Sequence, residues 1–146
     1  MFNYVGAQHK TAKKVRFIMN EWYTYLPDGL PGNEDCGQMS AWYIFSSLGF
    51  YPVNSANSVF AIGSPVAHRA TIHLPDNKKF TIVAHNNNSE NIYVQKIRLN
   101  GKDQMRSYIT YPEIMQGGKL EFFMSSEPDY EFGRDHENRP PEVLVR

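Results

Sequence analysis

The sequence predicts an α+β chain, with helices first and an antiparallel β-sandwich-like segment after them. Three observations carry that expectation. Apolar residues recur at helical spacing in two stretches before Pro52. After Pro52 the pattern changes to short alternating runs. Two turn sequences, Pro75-Asp76-Asn77-Lys78 and Asn100-Gly101, stand between such runs, and the second is a strong hairpin signal.

The first helix is expected from Lys10 to Tyr25. Val15, Ile18, Trp22 and Tyr25 fall on one face, while Lys13, Lys14, Arg16 and Glu21 fall mostly elsewhere. Thr11 is its candidate N-cap, and Pro27 and Gly29 stop it. The second helix is expected from Gln38 to Leu48. Met39, Ala41, Trp42, Tyr43, Ile44 and Phe45 leave little polar face, the pattern of a helix buried all round. Gly49 stands where a C-cap glycine belongs, and Pro52 prevents resumption. One buried helix and one amphipathic helix cannot make a bundle alone. They have the character of the last helices of a larger helical assembly.

Val59–Ile62 is a short apolar strand. Ala70–Leu74 and Phe80–Ala84 form a hairpin about the first turn. Ile92–Leu99 alternates, with one irregularity. Gln104–Ile109 is its partner across Asn100-Gly101. Tyr111–Met115 is a helical turn with an early proline, and Gly117-Gly118 breaks it. Leu120–Met124 closes the unit. From Glu127 the tail is polar and contains proline, as a segment wrapping over a surface would be.

Composition excludes several functions. Lys+Arg and Asp+Glu are both 15, and no basic stripe carries interleaved aromatics, so nucleic acid is not an expected partner. Cys36 is the single cysteine, which rules out an intrachain disulfide and Cys-x-x-Cys metal sites. No apolar run approaches the roughly 20 residues of a membrane span. The opening MFNYVGAQHK has no leader and reads as mid-domain sequence, so a C-terminal piece of a longer protein is expected. Aromatic residues make up 14% of the chain, enough to expect buried rings or sugar-stacking surfaces.

The chemistry concentrates in DGLPGNEDCGQMSAWY, Asp28 to Tyr43. Two readings stay open. In the first, Asp35-x-x-Gln38 is a capping box, worth about 0.5–2 kcal/mol, and Glu34 gains from the helix dipole. In the second, the same position makes a general base. A carboxylate at a helix N-terminus is favoured in its ionised form and can take a proton from water. Pro31 and Gly32 give a tight loop, and the apolar helix behind it supplies rigidity. Other residues carry weaker signals. His9 is a boundary histidine, His73 faces solvent in a strand, His85 sits in a polar turn and His136 in the tail. Trp22 is read as core before sugar platform. Cys36 has no histidine placed in sequence to activate it. Asn87-Asn88-Ser89 matches a glycosylation acceptor.

YVGAQHKTAKKVR, EWYTYLPDGLPGNEDCGQMSAWYIFSSLGFYPV, FAIGSP, TIHLPDNKKFTIVAHNNNSENIYVQKIRLNGK, SYITYPEIMQGGKLEFFMSSEP and a final RPP together cover almost the whole chain. They resemble the C-terminal part of the catalytic region of glycoside hydrolase family 92. The resemblance implies a mostly bacterial, calcium-dependent, exo-acting and inverting α-mannosidase of α-1,2-mannosidase-like type, with mannose-containing glycans as substrates. It implies an N-terminal β-sandwich and an (α/α)6 barrel. Residues 1–52 would be the last barrel helices with the acidic loop, and residues 53–146 a β-rich segment packed on the barrel. Inversion needs an acid and a base roughly 6.5–9.5 Å apart across the sugar. The family's base maps onto Asp35. Asn33 stands where some members carry a second aspartate, and its amide would orient water or Asp35. Glu34 is a supporting residue. The acid is a glutamate upstream of Met1, in the missing N-terminal part of the enzyme. Most Ca2+ ligands are also upstream, and no metal ligand is placed in this chain. The isolated chain is therefore expected to be inactive, and the enzyme periplasmic, cell-surface or secreted.

The rival expectation is a non-catalytic carbohydrate-binding module, with Tyr93, Tyr108, Tyr111 and Phe122 as a stacking face. A third is that Val59–Met124 only buttresses the barrel, because its tyrosines alternate as core residues would.

Overall fold

The computed structural model describes residues 2–141. Met1 and the last five residues of the expected tail and β-rich segment lie outside the described residues. A short 3-10 turn, Phe2–Val5, leads into α1, Gln8–Glu21, and α2 spans Gln38–Leu48. The strands are β1 (Phe50–Asn54), β2 (Val59–Ile62), β3 (Arg69–His73), β4 (Lys79–His85), β5 (Tyr93–Leu99), β6 (Lys102–Gln104), β7 (Tyr108–Thr110) and β8 (Gly118–Ser125). α3, Tyr111–Gln116, lies between β7 and β8. The chain is α+β.

The strands form two sheets, ordered β1-β2-β7 and β3-β4-β8-β5-β6. Phe50, Phe60, Ile62 and Ile109 from the first sheet and Phe80, Ile82, Ile97, Leu120 and Phe122 from the second share one core. This is the sandwich the alternation predicts, with differences. β4 and β8 pair in parallel, so the larger sheet is mixed. The expected strand Gln104–Ile109 does not form: the partner of β5 is Lys102–Gln104, and Met105–Ser107 then carries the chain to β7 in the other sheet. Ser107 is buried in that crossing and donates its N–H to Asn138 O at 2.7 Å. β1 was not expected, since Pro52 lies inside it. Proline is tolerated there because β1 is an edge strand whose register slips between Tyr51 and Asn54.

The turn chemistry follows the sequence. Asp76 and Asn77 (φ 57° and 56°) and Asn100 and Gly101 (φ 49° and 83°) are left-handed pairs that match the twist of their hairpins. Thr110 and Glu113 form a reciprocal capping box at α3. The expected irregularity in β5 is a bulge between Val94 and Lys96.

α1 departs from the expected face. It begins at Gln8 after an uncapped Ala7, so Thr11 is inside the helix and is no N-cap. It ends at Glu21, before Pro27 and Gly29. Its buried residues are Gln8, Ala12, Arg16 and Met19. Gln8 Nε2 donates to Gly63 O at 2.8 Å, and Asn3 Nδ2 donates to Ile62 O and Ser107 O. Arg16, expected off the buried face, donates to Asn87 Oδ1 at 2.8 Å, Asn88 O at 3.1 Å, Ser64 Oγ at 3.2 Å and Pro65 O. Burial lowers its pKa from the ordinary guanidinium value. These acceptors, supplied by loops of the β unit, make burial of a cation tolerable. They also seat α1 and the opening residues on the sandwich.

Asn87 is committed by the same clasp. It is buried, and its Nδ2 donates to Val66 O at 3.0 Å. The matched glycosylation acceptor is therefore closed in this fold.

Candidate functional site

α1 and α2 are joined by residues 22–37, and this connection carries the acidic loop. Its first turn is set by Gly29, which donates to Leu26 O and accepts from Thr24 N–H, both at 2.9 Å. A Cβ on Gly29 would stand 2.2 Å from Thr24 O, so only glycine fits. Tyr23 then ties the connection to α2. Its hydroxyl donates to Met39 O at 3.1 Å, and its ring stacks on Trp42 at 5.6 Å and meets Tyr43 at 4.9 Å. Burial, and next the Glu34 charge, push the Tyr23 phenol above its ordinary pKa.

The capping reading of this loop moves by one residue. The residue before α2 is Gly37, at φ 78°, with no side chain to cap anything. Asp35 opens a 3-10 turn, Asp35–Gly37, and Cys36 inside it is left-handed at φ 53°. That pair of left-handed residues turns Asp35 away from the helix end, so no Asp35–Gln38 capping box forms. Glu34 takes the role. Both its carboxylate oxygens accept from Ser40 N–H at 3.2 Å, and Ser40 Oγ donates to Oε2 at 2.8 Å. Asp35 meets no side-chain hydrogen-bond partner among the described residues, and it is exposed, as are Asn33 and Cys36. A left-handed non-glycine residue beside an uncommitted carboxylate is the kind of local strain that collects at functional sites.

Two open grooves flank the loop. One, of about 620 Å3, is lined by Tyr23, Tyr25, Leu30, Ser40, Tyr43 and Ile44. The other, of about 270 Å3, is lined by Trp22, Pro31, Gln38, Met39 and Trp42 among others. Trp22 is 53% exposed and Ile44 59%, so neither the core reading of Trp22 nor the all-round burial of α2 holds within this chain. The physical reason is simple: no described residue packs over those faces.

The remaining candidates lie apart from this loop in the fold. His9 packs edge-on against Tyr130, and His73 faces solvent on β3. His136 lies in a short 3-10 turn. His85 Nε2 is 2.9 Å from Glu121 Oε1, and its ring stacks on Phe123. Lys119 first and His85 second hold the Glu121 carboxyl below its ordinary pKa. Among the described residues no three of His, Cys, Asp and Glu converge to hold a metal. Of the proposed stacking face, Phe122 is fully buried and belongs to the core, Tyr93 and Tyr108 are half-buried, and only Tyr111 is well exposed. No helix among the described residues is long and apolar enough to cross a membrane.

Ser40 and Tyr23 were not singled out from the sequence. The Glu34–Ser40 spacing of six matches no capping pattern, because the left-handed turn lies between them.

Comparison with known proteins places the loop in context. The model of the glycosyl hydrolase family 92 catalytic domain matches residues 1–126. A family 92 α-mannosidase of Bacteroides thetaiotaomicron, solved with mannoimidazole, is 41% identical, with a TM-score of 0.92 over 97% of this chain and 19% of its own. A family 92 inverting mannosidase of B. thetaiotaomicron VPI-5482 is 40% identical, with a TM-score of 0.89 over 95% of this chain and 19% of its own. An uncharacterized secreted glycosidase of Arthroderma benhamiae is 28% identical over 98% of this chain and 19% of its own length. The chain thus spans about a fifth of the length of these relatives. It belongs to glycoside hydrolase family 92, within the catalytic domain of that family.

Proposed function

We propose that this chain supplies the base-bearing part of an enzyme that removes terminal α-linked mannose from glycans with inversion. The observation that carries this reading is the contrast between two adjacent carboxylates. Glu34 is engaged by Ser40, whereas Asp35 is exposed and uncommitted. Asp35 is the general base. It takes a proton from water as the water oxygen attacks the anomeric carbon, while the departing oxygen takes a proton from an acid on the opposite face. Asn33 orients the water or Asp35 through its amide.

The acid is a glutamate outside this sequence, so the isolated chain is inactive. Calcium, where the enzyme uses it, is held mostly by oxygens outside this chain. The exposed apolar faces of α1 and α2 support the view that residues 1–52 complete an (α/α)6 barrel, with residues 53–146 packed on it. The two mannosidase relatives support the substrate class, and the secreted relative supports a location outside the cytoplasm. A saccharide-binding role for the β-rich half rests on Tyr111 alone. It borders an open groove of about 260 Å3 with Pro52, Asn54, Ser55 and Ser58. Calorimetric titration of the chain with mannose oligosaccharides separates the two: binding without hydrolysis supports the second.

The test of the base uses a polypeptide of the relatives' length that carries this chain. Asp35→Asn lowers kcat on an aryl α-mannoside by about 10²–10⁴-fold, with the melting temperature little changed. Activity within a few-fold of wild type sinks the assignment. The first-formed sugar, followed by NMR, is β-mannose; α-mannose appearing first rules out inversion.

A further inference from the structure

We infer that Glu34 and Ser40 act as a positioning pair for Asp35, an inference that rests on the reading of Asp35 as the base. Three features of the geometry point there. First, both Glu34 oxygens are drawn to one residue, Ser40, through its backbone N–H and its hydroxyl. Glu34 is thereby oriented by the first turn of α2, whereas Asp35 has no such side-chain partner among the described residues. Second, the backbone from Cys36 to Gly37 runs left-handed, which folds the loop back so that Glu34 reaches the first turn of α2. Asp35 is held between that anchored neighbour and the turn. Third, Ser40 is on a helix anchored from its other side, because Tyr23 donates to Met39 O and stacks on Trp42. The anchor is thus tied to the connection just after α1 as well as to α2.

A general base must keep its oxygen within a few tenths of an ångström of the attacking water, and a misplacement of 1 Å can cost about 100-fold. Asp35 has no side-chain partner of its own among the described residues. Its position is inherited through the backbone from Glu34 on one side and from Gly37 on the other. This assigns different work to the two acids of the NED sequence: Glu34 holds, Asp35 reacts. Ser40, unlike either acid, is identified only by the fold.

The experiment uses a polypeptide of the relatives' length that carries this chain, with an aryl α-mannoside as probe. Glu34→Ala and Ser40→Ala are each made, together with the double variant and Ser40→Thr, which keeps the hydroxyl. The expected result is a fall in kcat of about tenfold or more for Glu34→Ala, and a smaller fall for Ser40→Ala, with KM within about twofold. The double variant is no worse than Glu34→Ala, and Ser40→Thr recovers most of the loss of Ser40→Ala. A role limited to capping α2 lowers the melting temperature and leaves kcat of the folded enzyme unchanged, which would overturn the proposal. A loss in Glu34→Ala as deep as in Asp35→Asn, with Ser40→Ala silent, also overturns it, because Glu34 would then be acting directly. Failure of the base reading has a separate signature: Asp35→Asn stays active whatever the Glu34 and Ser40 variants do.

Discussion

The sandwich and the helical segment of this chain are built on opposite terms. In the sandwich, Phe50, Phe80, Phe122 and Phe132 are at most 1% exposed, and two sheets close over one core. In the helical segment, Tyr25 is 99% exposed, Ile44 59% and Trp22 53%, and the open grooves beside α2 have aromatic walls. Apolar patches of that kind mark surfaces made to be covered. The difference teaches where the stability of the chain resides. The sandwich carries its own driving force, whereas the loop with Asp35 sits on helices whose outer faces are left exposed by the described residues.

The largest expected effect tests that asymmetry directly. Phe122→Ala removes a fully buried ring from the centre of the sandwich and costs about 3–5 kcal/mol. Ile44→Ala in the isolated chain costs under about 0.5 kcal/mol, because the residue is more than half exposed. In a polypeptide of the relatives' length the same Ile44 change costs about 2–4 kcal/mol if the helix face is covered there. Denaturant unfolding of both proteins reads the difference. An Ile44→Ala cost that is equal in the two settings breaks the comparison.

Arg16 is the bolt between the two regions, and it comes next in size. Arg16→Ala leaves Ser64 Oγ, Asn87 Oδ1 and the carbonyls of Pro65 and Asn88 without this donor in a closed site. The expected loss is about 3 kcal/mol by denaturant titration. If the clasp also sets how α1 sits on the sandwich, amide exchange quickens in α1 before it does in β4 or β8.

How much of this was legible follows the same division. The limits of α2 were legible because its apolar density ends at Gly49. The hairpin of β3 with β4 and the turn between β5 and β6 were legible because Asp76-Asn77 and Asn100-Gly101 are residues that tolerate the left-handed backbone, although the strand after the second turn is Lys102–Gln104 and not Gln104–Ile109. The parallel pairing of β4 with β8 was not, since no local pattern reports which distant strand lies alongside. Burial of Arg16 escaped for the same reason: its acceptor Asn87 is 71 residues away. At the site, the sequence marked an acid before a helix but put the cap on Asp35. Only the left-handed Cys36 hands that role to Glu34, and no residue-type preference announces a left-handed cysteine.

A milder effect probes a junction within the sandwich. Burial opposes ionisation of Glu113, but its bonds to Arg106 and Thr110 outweigh this and hold its pKa below the ordinary 4.5. A carboxyl lowered in the folded state contributes stability that is present above the unfolded pKa and is lost as pH falls through the folded one. Melting measured downward from pH 5 should therefore show a loss that Glu113→Gln removes in part. Thr110→Ala takes away the other half of the capping box and costs about 1 kcal/mol at neutral pH.

Two glycines give the smallest and sharpest contrast, since both are left-handed and flank the same helix. Gly49, at φ 98°, ends α2 where the chain enters the sandwich. A Cβ there would meet the Phe122 ring at 2.8 Å and Pro65 at 3.1 Å, so Gly49→Ala adds a clash with the core to the backbone cost. Gly37, at φ 78°, begins α2 in the loop, and a Cβ there meets only Glu34 Oε1, at 3.9 Å. Gly37→Ala thus carries the backbone term alone, about 1–2 kcal/mol. In the isolated chain that strain is relieved by local fraying of the loop, and the global unfolding midpoint hardly moves. Gly49→Ala cannot be relieved locally, because Phe122 belongs to both sheets' common core, and its midpoint falls. Equal shifts for the two variants would mean that the loop and the sandwich unfold as one cooperative unit.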